Sequence, residues 1–359
     1  MSVFSKQQDC ECCVTSKTGF ASPKELQDIV IGLDSDTQYS SISQDKLYDG
    51  PENYIRLQQD DGNNPVIAIL NKIQTGNKQL AEIANVNQGI VSGADSVSEK
   101  HLVEYHIEAQ KNDGIFVLNK SVNKDIATLN VIANAVPDGS LVKPFFKNSD
   151  IQRYITTETA HRFILFMGKD LENETKLQEK YPTIYEHLIK FKPIMVDKRL
   201  SLHEKTDQWF TLNRGTAHPT IFNGPKIVAP QRSARNTFGY NESSWYAASD
   251  VFFITSPKQG YSLKYILGLL NSQLYYFWLY HKGKRKGSTL ELTAKPISEI
   301  PILLATVEQQ TEISNLVTNI ISALKKDTNI TLLEKELNKK IYKLYDITTD
   351  EQKLIESLQ

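Results

Sequence analysis

The stretch PKIVAPQRSARNTFGY, Pro225 to Tyr240, sets the architecture. It places a β-branched run, Lys226-Ile-Val-Ala, and an aromatic run, Asn236-Thr-Phe-Gly-Tyr, on either side of a polar loop that carries Arg232 and Arg235. β-Branched and aromatic residues suit a pleated, half-buried surface, so both runs read as short strands with the arginines near a strand rim. Ala248 to Thr255 reads as a third strand.

Upstream, Ile67, Leu70, Ile73, Leu80, Ile83 and Val86 recur at helical intervals around a Gly76-Asn77 break, which predicts two short helices. Strand-like runs follow at 89–91, 114–118, 141–144 and 162–166, each bounded by turn residues. Tyr181 to Arg199 is predicted helical, with Pro182 in the first turn, where its missing N–H costs nothing. Downstream, Ser262 caps a helix whose beat runs from Leu263 to Trp278. Val307 to Leu324 and Thr331 to Leu344 form two further helices, the second with a capping box from Thr331 to Glu334, and Thr348 with Glu351 repeats the device. The expected fold is mixed α/β of the α+β kind: short-stranded mixed or antiparallel sheets, surrounding helices and a C-terminal helical hairpin. Residues 1–65, with one helical candidate at Pro23 to Ile31, read as a polar linker or peripheral segment, 66–260 as an α/β domain, and 261–359 as helical support.

With 359 residues, 40% hydrophobic and 23% charged, the chain has the composition of a soluble globular protein. Its longest apolar stretch, Tyr265 to Tyr280, is interrupted by Asn271, Ser272 and Gln273, so no membrane span is expected. The start MSVFSKQQDCECC lacks the pattern of a signal peptide, and a cytoplasmic location is expected. Cys10, Cys12 and Cys13 stand together with no later cysteine, which excludes a disulfide framework, and the nearest histidine is His101, so no metal site is expected. The sequence contains no GxGxxG, GxxxxGK[ST], HExxH or GxSxG, and no catalytic residue is assigned. Pro137-Asp138 with Glu174-Thr175-Lys176 imitates a metal-dependent nuclease motif, but Glu174 falls in a polar, helical surface segment. A metal-dependent endonuclease and a non-catalytic protein-interaction subunit are the alternative readings.

The formal charge of -1 hides an uneven distribution. Residues 1–60 hold five basic against ten acidic side chains, whereas residues 190–240 hold nine against three. The run HKGKRKG, His281 to Gly287, adds Lys282, Lys284, Arg285 and Lys286 with no acid. Such loops suit duplex DNA, because phosphates attract positive charge while base edges need planar bidentate partners. Gln231 is suited to adenine, and Arg232 and Arg235 to guanine or phosphate. The aromatics from Tyr275 to Tyr280 read as helix core.

Several segments in order resemble the C-terminal specificity, or target-recognition, region of TaqI- and Eco57I-like adenine-specific DNA methyltransferases of single-chain restriction-modification enzymes. They include NVNQGIVSGADSV (85–97), LVKPFFKNSDIQRY (141–154), YPTIYEHLIKFKPIMVDKR (181–199), PKIVAPQRSARNTFGY (225–240), YILGLLNSQLYYFWL (265–279) and LEKELNKKIYKLYDITTDE (333–351). In that family a catalytic domain binds S-adenosylmethionine and holds a flipped adenine with an Asn-Pro-Pro-Tyr-like motif, while the C-terminal region selects the sequence. Here the nearest stretch is Asn63-Asn64-Pro65-Val66. The resemblance therefore implies a type II restriction-modification reader of double-stranded DNA that serves a methyltransferase domain or subunit. It implies no cofactor in this chain and S-adenosylmethionine in that catalytic domain. It also implies that Lys143, Lys147 and Arg153, and Arg214, Gln231, Arg232, Arg235 and Asn236, face the duplex.

Overall fold

The computed structural model describes residues 11–16, 21–44, 48–49, 54–55, 64–137, 139–214, 219–258 and 260–358; Cys10 and Asp138 lie outside them. The chain divides into two compact units, residues 1–70 and 71–359. In the first, Ser22 accepts from the Glu25 amide and Glu25 accepts from the Ser22 amide, so the expected helix Pro23–Val30 starts on a capping box. The strands Glu11–Ser16 and Gln38–Ser43 pair antiparallel in the same unit, which the sequence suggested to be a polar linker or peripheral segment. Their serines, threonine and tyrosine tolerate extended backbone without the hydrophobic alternation that flags a strand. Cys12 and Cys13, both free, lie on this pair.

The second unit is built on two four-stranded sheets. The central sheet runs Gly239–Asn241, Lys226–Pro230, Val251–Thr255, Asn85–Gln88, and every pairing in it is antiparallel. Its two inner strands are buried along their whole length, which is why Ile227-Val-Ala and Val251-Phe-Phe-Ile read as continuous apolar runs. The neighbouring sheet runs Tyr246–Ala247, Val142–Phe146, Arg162–Leu165, Val117–Asn119, with one parallel and two antiparallel pairings. Mixed and antiparallel short-stranded sheets are therefore present as expected. The strand expected at 89–91 is shifted to Asn85–Gln88. Gly89 passes so close to the Ala247 and Ala248 carbonyls that any Cβ would collide with them, and Ile90 and Val91 make only isolated bridges. The two sheets share an aromatic core in which Phe146 stacks on Trp245 at 4.7 Å.

The helices mostly follow their sequence signals, with two breaks. The predicted 181–199 helix divides into Pro182–Leu188 and Lys192–Ser201 across the turn Ile189–Phe191, because Pro193 can sit only in the first turn of a helix. The predicted 263–278 helix divides into Leu263–Asn271 and Gln273–His281, with Ser272 extended at φ -72° and ψ 162°. Ser262 and Ser272 each cap the helix that follows, accepting from Tyr265 N at 3.5 Å and Tyr275 N at 3.2 Å. Val307–Leu324 and Thr331–Leu344 form the expected hairpin, followed by Thr349–Ser357. Gly268 lets the first of these helices press on Leu263–Asn271, since a Cβ there would meet Ile313 and Val317. The Thr348–Glu351 capping box forms. The Thr331–Glu334 box does not: Ile330 is the N-cap and the Glu334 carboxylate pairs with Arg153 at 2.8 Å. Among the described residues, no helix is long and apolar enough to cross a membrane.

Candidate nucleic-acid interface

The loop after Lys226–Pro230 and the run His281 to Gly287 are 45 or more residues apart in sequence, and the fold joins them in one small antiparallel sheet. Its order is Arg232–Ser233, Thr289–Glu291, Arg285–Lys286. The sequence reading treated HKGKRKG as a loop between helices; the structure makes its second half the edge strand of a hairpin. Lys286 and Thr289 are opposite each other across a two-residue turn, Gly287-Ser288, with Gly287 at φ +60°, a conformation costly for other residues. Leu290 and Leu292 alternate into the core, so Thr289 and Glu291 point the other way.

Pairing fixes which side chains share that outward face. Arg232 stands opposite Glu291 and Lys286 opposite Thr289, while Lys284, two residues before Lys286, reaches Glu291 at 3.3 Å. The face thus presents Lys284, Lys286 and Arg232 around a single carboxylate. Arg232 and Lys286 are exposed, and neither side chain has a partner among the described residues. Arg285, on the opposite face, lies over the Tyr280 ring at 4.2 Å, which restrains a long side chain before any ligand arrives. Lys282 closes the helix Gln273–His281, its amide donating to Trp278 O at 2.7 Å. Gly283 follows so closely on the Leu279 carbonyl that a Cβ would strike it.

Two backbone bonds tie this sheet to the central one. Gln231 N donates to Asp250 O at 2.7 Å, and Leu292 N donates to Gln231 O at 2.8 Å. The half-buried Gln231 side chain therefore stands at the junction, with both carboxamide ends unpartnered among the described residues. Arg235 lies 4.9 Å over the Tyr276 ring and donates from Nη2 to Gln273 Oε1 at 3.1 Å. It is held in place with part of its guanidinium unused.

The remaining expected residues are placed differently. Asn236 is 1% exposed and donates to the carbonyls of Leu270 (2.7 Å) and Ser272 (2.9 Å), so it binds the helix break and does not face a duplex. The expectation for Asn236 is corrected by these buried partners. Arg153 is half-buried and already engaged: it pairs with Glu334 and donates to Asn271 O at 2.6 Å. Lys143 and Lys147 belong to the Val142–Phe146 strand and its end, apart from the basic sheet; Lys143 donates to Gly139 O at 3.1 Å and Lys147 pairs with Asp95 at 3.0 Å. Burial raises the nearby Asp250 carboxyl above its usual range, against a hydrogen bond from Asn148 and the charge of Lys147. Arg214 is exposed and its backbone bridges Val91. Sequence reasoning missed Thr289, Glu291 and the stacking tyrosines. The alternation Thr289-Leu290-Glu291-Leu292 after Gly287-Ser288 was the available signal.

Of the imitation nuclease motif, the Glu174 half lies among the described residues. Glu174 starts the helix Glu174–Lys180, and its carboxylate accepts from Lys192 at 2.6 Å and Trp209 Nε1 at 3.0 Å. Asp138 is not among the described residues, and among those that are, no three His, Cys, Asp or Glu side chains cluster to hold a metal.

The mixed α/β scaffold thus displays arginines and lysines from two converging segments of the chain. Residues 143–302 match the family model of the TaqI-like C-terminal specificity domain. The chain is 28% identical over 261 residues to the type II methyltransferase M.MjaIV of Methanocaldococcus jannaschii, covering 72% of this chain and 78% of that protein. It is 25% identical over 194 residues to the type II methyltransferase M.HindII of Haemophilus influenzae, covering 52% of this chain and 36% of that one. Its fold is shared with the type IIL restriction-modification enzyme MmeI, solved in complex with DNA, at a TM-score of 0.53 and 13% identity over 87% of this chain and 37% of that one.

Proposed function

We propose that this chain selects a specific duplex DNA sequence for an adenine-specific methyltransferase of a type II restriction-modification system. One observation carries the proposal: a single sheet gathers Arg232, Lys284, Arg285 and Lys286 from two basic motifs far apart in sequence. Neutralising phosphates supplies affinity and salt dependence, and planar groups at the sheet junction, Gln231 and Arg232, supply base discrimination. Methyl transfer and S-adenosylmethionine binding are assigned to a methyltransferase domain or subunit that the chain serves. The similarity to type II methyltransferases supports a DNA-methyltransferase context for the chain.

Gel-shift titration of the chain against a duplex library, at several salt concentrations, tests this reading. It predicts one preferred sequence and an affinity that falls linearly in log-log coordinates with salt. Equal binding to every sequence, or none to any, overturns it.

A further inference from the structure

We infer that the helix Thr331–Leu344 carries a second phosphate track, continuous with the interface above, that grips the duplex beside the recognised bases. The inference rests on the proposed DNA-reading function and extends it to a helix that sequence reasoning assigned only to support. Lys335, Lys339 and Lys343 recur every four residues, so they form one stripe with a rise of about 6 Å between neighbours. All three are exposed, and none has an ion-pair partner among the described residues. By contrast Lys340, on the adjoining face, is paired with Glu312 at 2.7 Å.

The stripe forms a wall of a groove of about 780 Å³ whose other polar lining includes Gln273 and Asn338. These two amides connect it to the interface. Arg235 Nη2 donates to Gln273 Oε1 at 3.1 Å, and the Gln273 backbone N–H donates to Asn338 Oδ1 at 2.9 Å. Both carboxamide oxygens are therefore committed to protein donors, which turns both –NH₂ ends away from those bonds. Neither –NH₂ has an acceptor among the described residues. A groove lined by three ammonium groups and two spare amide donors, and entered from a guanidinium, fits a chain of anionic oxygens that needs both charge and hydrogen bonds. The groove also holds two acids, Asp346 just past Lys343 in the chain and Glu356, which faces the Tyr342 hydroxyl. The occupant is the DNA backbone that flanks the target site.

The test compares the full chain with two triple variants, Lys335→Ala/Lys339→Ala/Lys343→Ala and Lys284→Ala/Arg285→Ala/Lys286→Ala, by salt-dependent binding to the preferred duplex and to unrelated duplexes. Alanine favours helix at the first three positions, and matching thermal unfolding confirms that the variant folds. The stripe variant is expected to flatten the slope of log affinity against log salt by about 2.7, or about 0.9 for each phosphate released, equally on all sequences. The corresponding triple Lys→Arg variant restores the slope. A stripe variant with the parental slope, while the hairpin variant loses its own, overturns the track and leaves the DNA-reading function standing. Parental protein that binds no duplex in a salt-dependent way overturns both.

Discussion

The Asn271 side chain acts as a strand residue for Phe238: Phe238 N donates to its Oδ1 at 3.0 Å, and its Nδ2 donates to Phe238 O at 2.8 Å. Asn236 completes the clamp from the other side by bonding the carbonyls of Leu270 and Ser272. Four buried bonds thus fasten the arginine-bearing loop to the point where the helix breaks. Asn271→Ala strands the Phe238 N–H away from water, while the Phe238 carbonyl keeps the Tyr154 N–H at 2.8 Å, and is expected to cost about 1–3 kcal/mol of stability. Urea unfolding measures this. A double-mutant cycle with Asn236→Ala is expected to show coupling between the two amides, because they hold one joint.

The proposed function gives the hairpin side chains a role through charge, and Arg232 one through shape as well. Replacing Lys284, Arg285 and Lys286 with Ala is expected to weaken binding to all duplexes alike and to flatten the salt slope by up to about 2.7. Arg232→Ala is expected instead to relax sequence choice, losing about 1–3 kcal/mol of discrimination at one position. Competition assays with single-base variants of the target separate the two effects. Uniform weakening by Arg232→Ala places that residue on phosphate.

Glu291 is the one acid on the outward face of the basic sheet, and it restrains Lys284 at 3.3 Å. Glu291→Gln removes the negative charge and frees the lysine, so binding to unrelated duplexes is expected to tighten and the salt slope to steepen by about 0.9. The ratio of preferred to unrelated binding stays unchanged because the gain is common to every sequence. Fluorescence anisotropy on matched and unmatched duplexes reads the ratio; a gain confined to the preferred duplex assigns Glu291 to base contact.

The buried strands were legible in the sequence because Ile227-Val-Ala and Val251 to Ile254 are apolar without interruption, as strands covered on both faces require. The basic hairpin was hidden, since four cations in a row outweigh the short alternation that follows them. The break at Ser272 was hidden for a different reason. Asn271, Ser272 and Gln273 continue the helical beat, and what stops the helix is the loop from Asn236 to Phe238, more than 30 residues away. The same distance effect explains Arg153, whose residue type suits phosphate but whose guanidinium is taken up by Asn271 O, 118 residues later, and by Glu334. Cationic residues were thus found by composition, whereas their division into internal braces and outward contacts depends on tertiary partners.

His187 makes the fold acid-sensitive. It lies in the helix Pro182–Leu188, buried edge-on to Phe191 at 5.4 Å, with its Nε2–H bonded to Ile115 O at 2.9 Å. Burial pulls its pKa down to about 4, only partly offset by the Ile115 bond, and Lys190 and Lys124 push the same way as burial. In the unfolded chain the imidazole titrates near its ordinary value of 6.5. Between these values the unfolded state binds more protons than the folded one, so stability rises with pH across the window. The contribution is complete above pH 6.5 and is lost as pH falls toward about 4. One proton sets the steepest slope from this group at about 1.4 kcal/mol per pH unit. His187→Gln keeps an N–H donor for the Ile115 carbonyl but does not titrate, so its stability is expected to fall less steeply on acidification. Urea midpoints from pH 7 to 4 give the difference. Parallel profiles for the two proteins would place the acid sensitivity elsewhere.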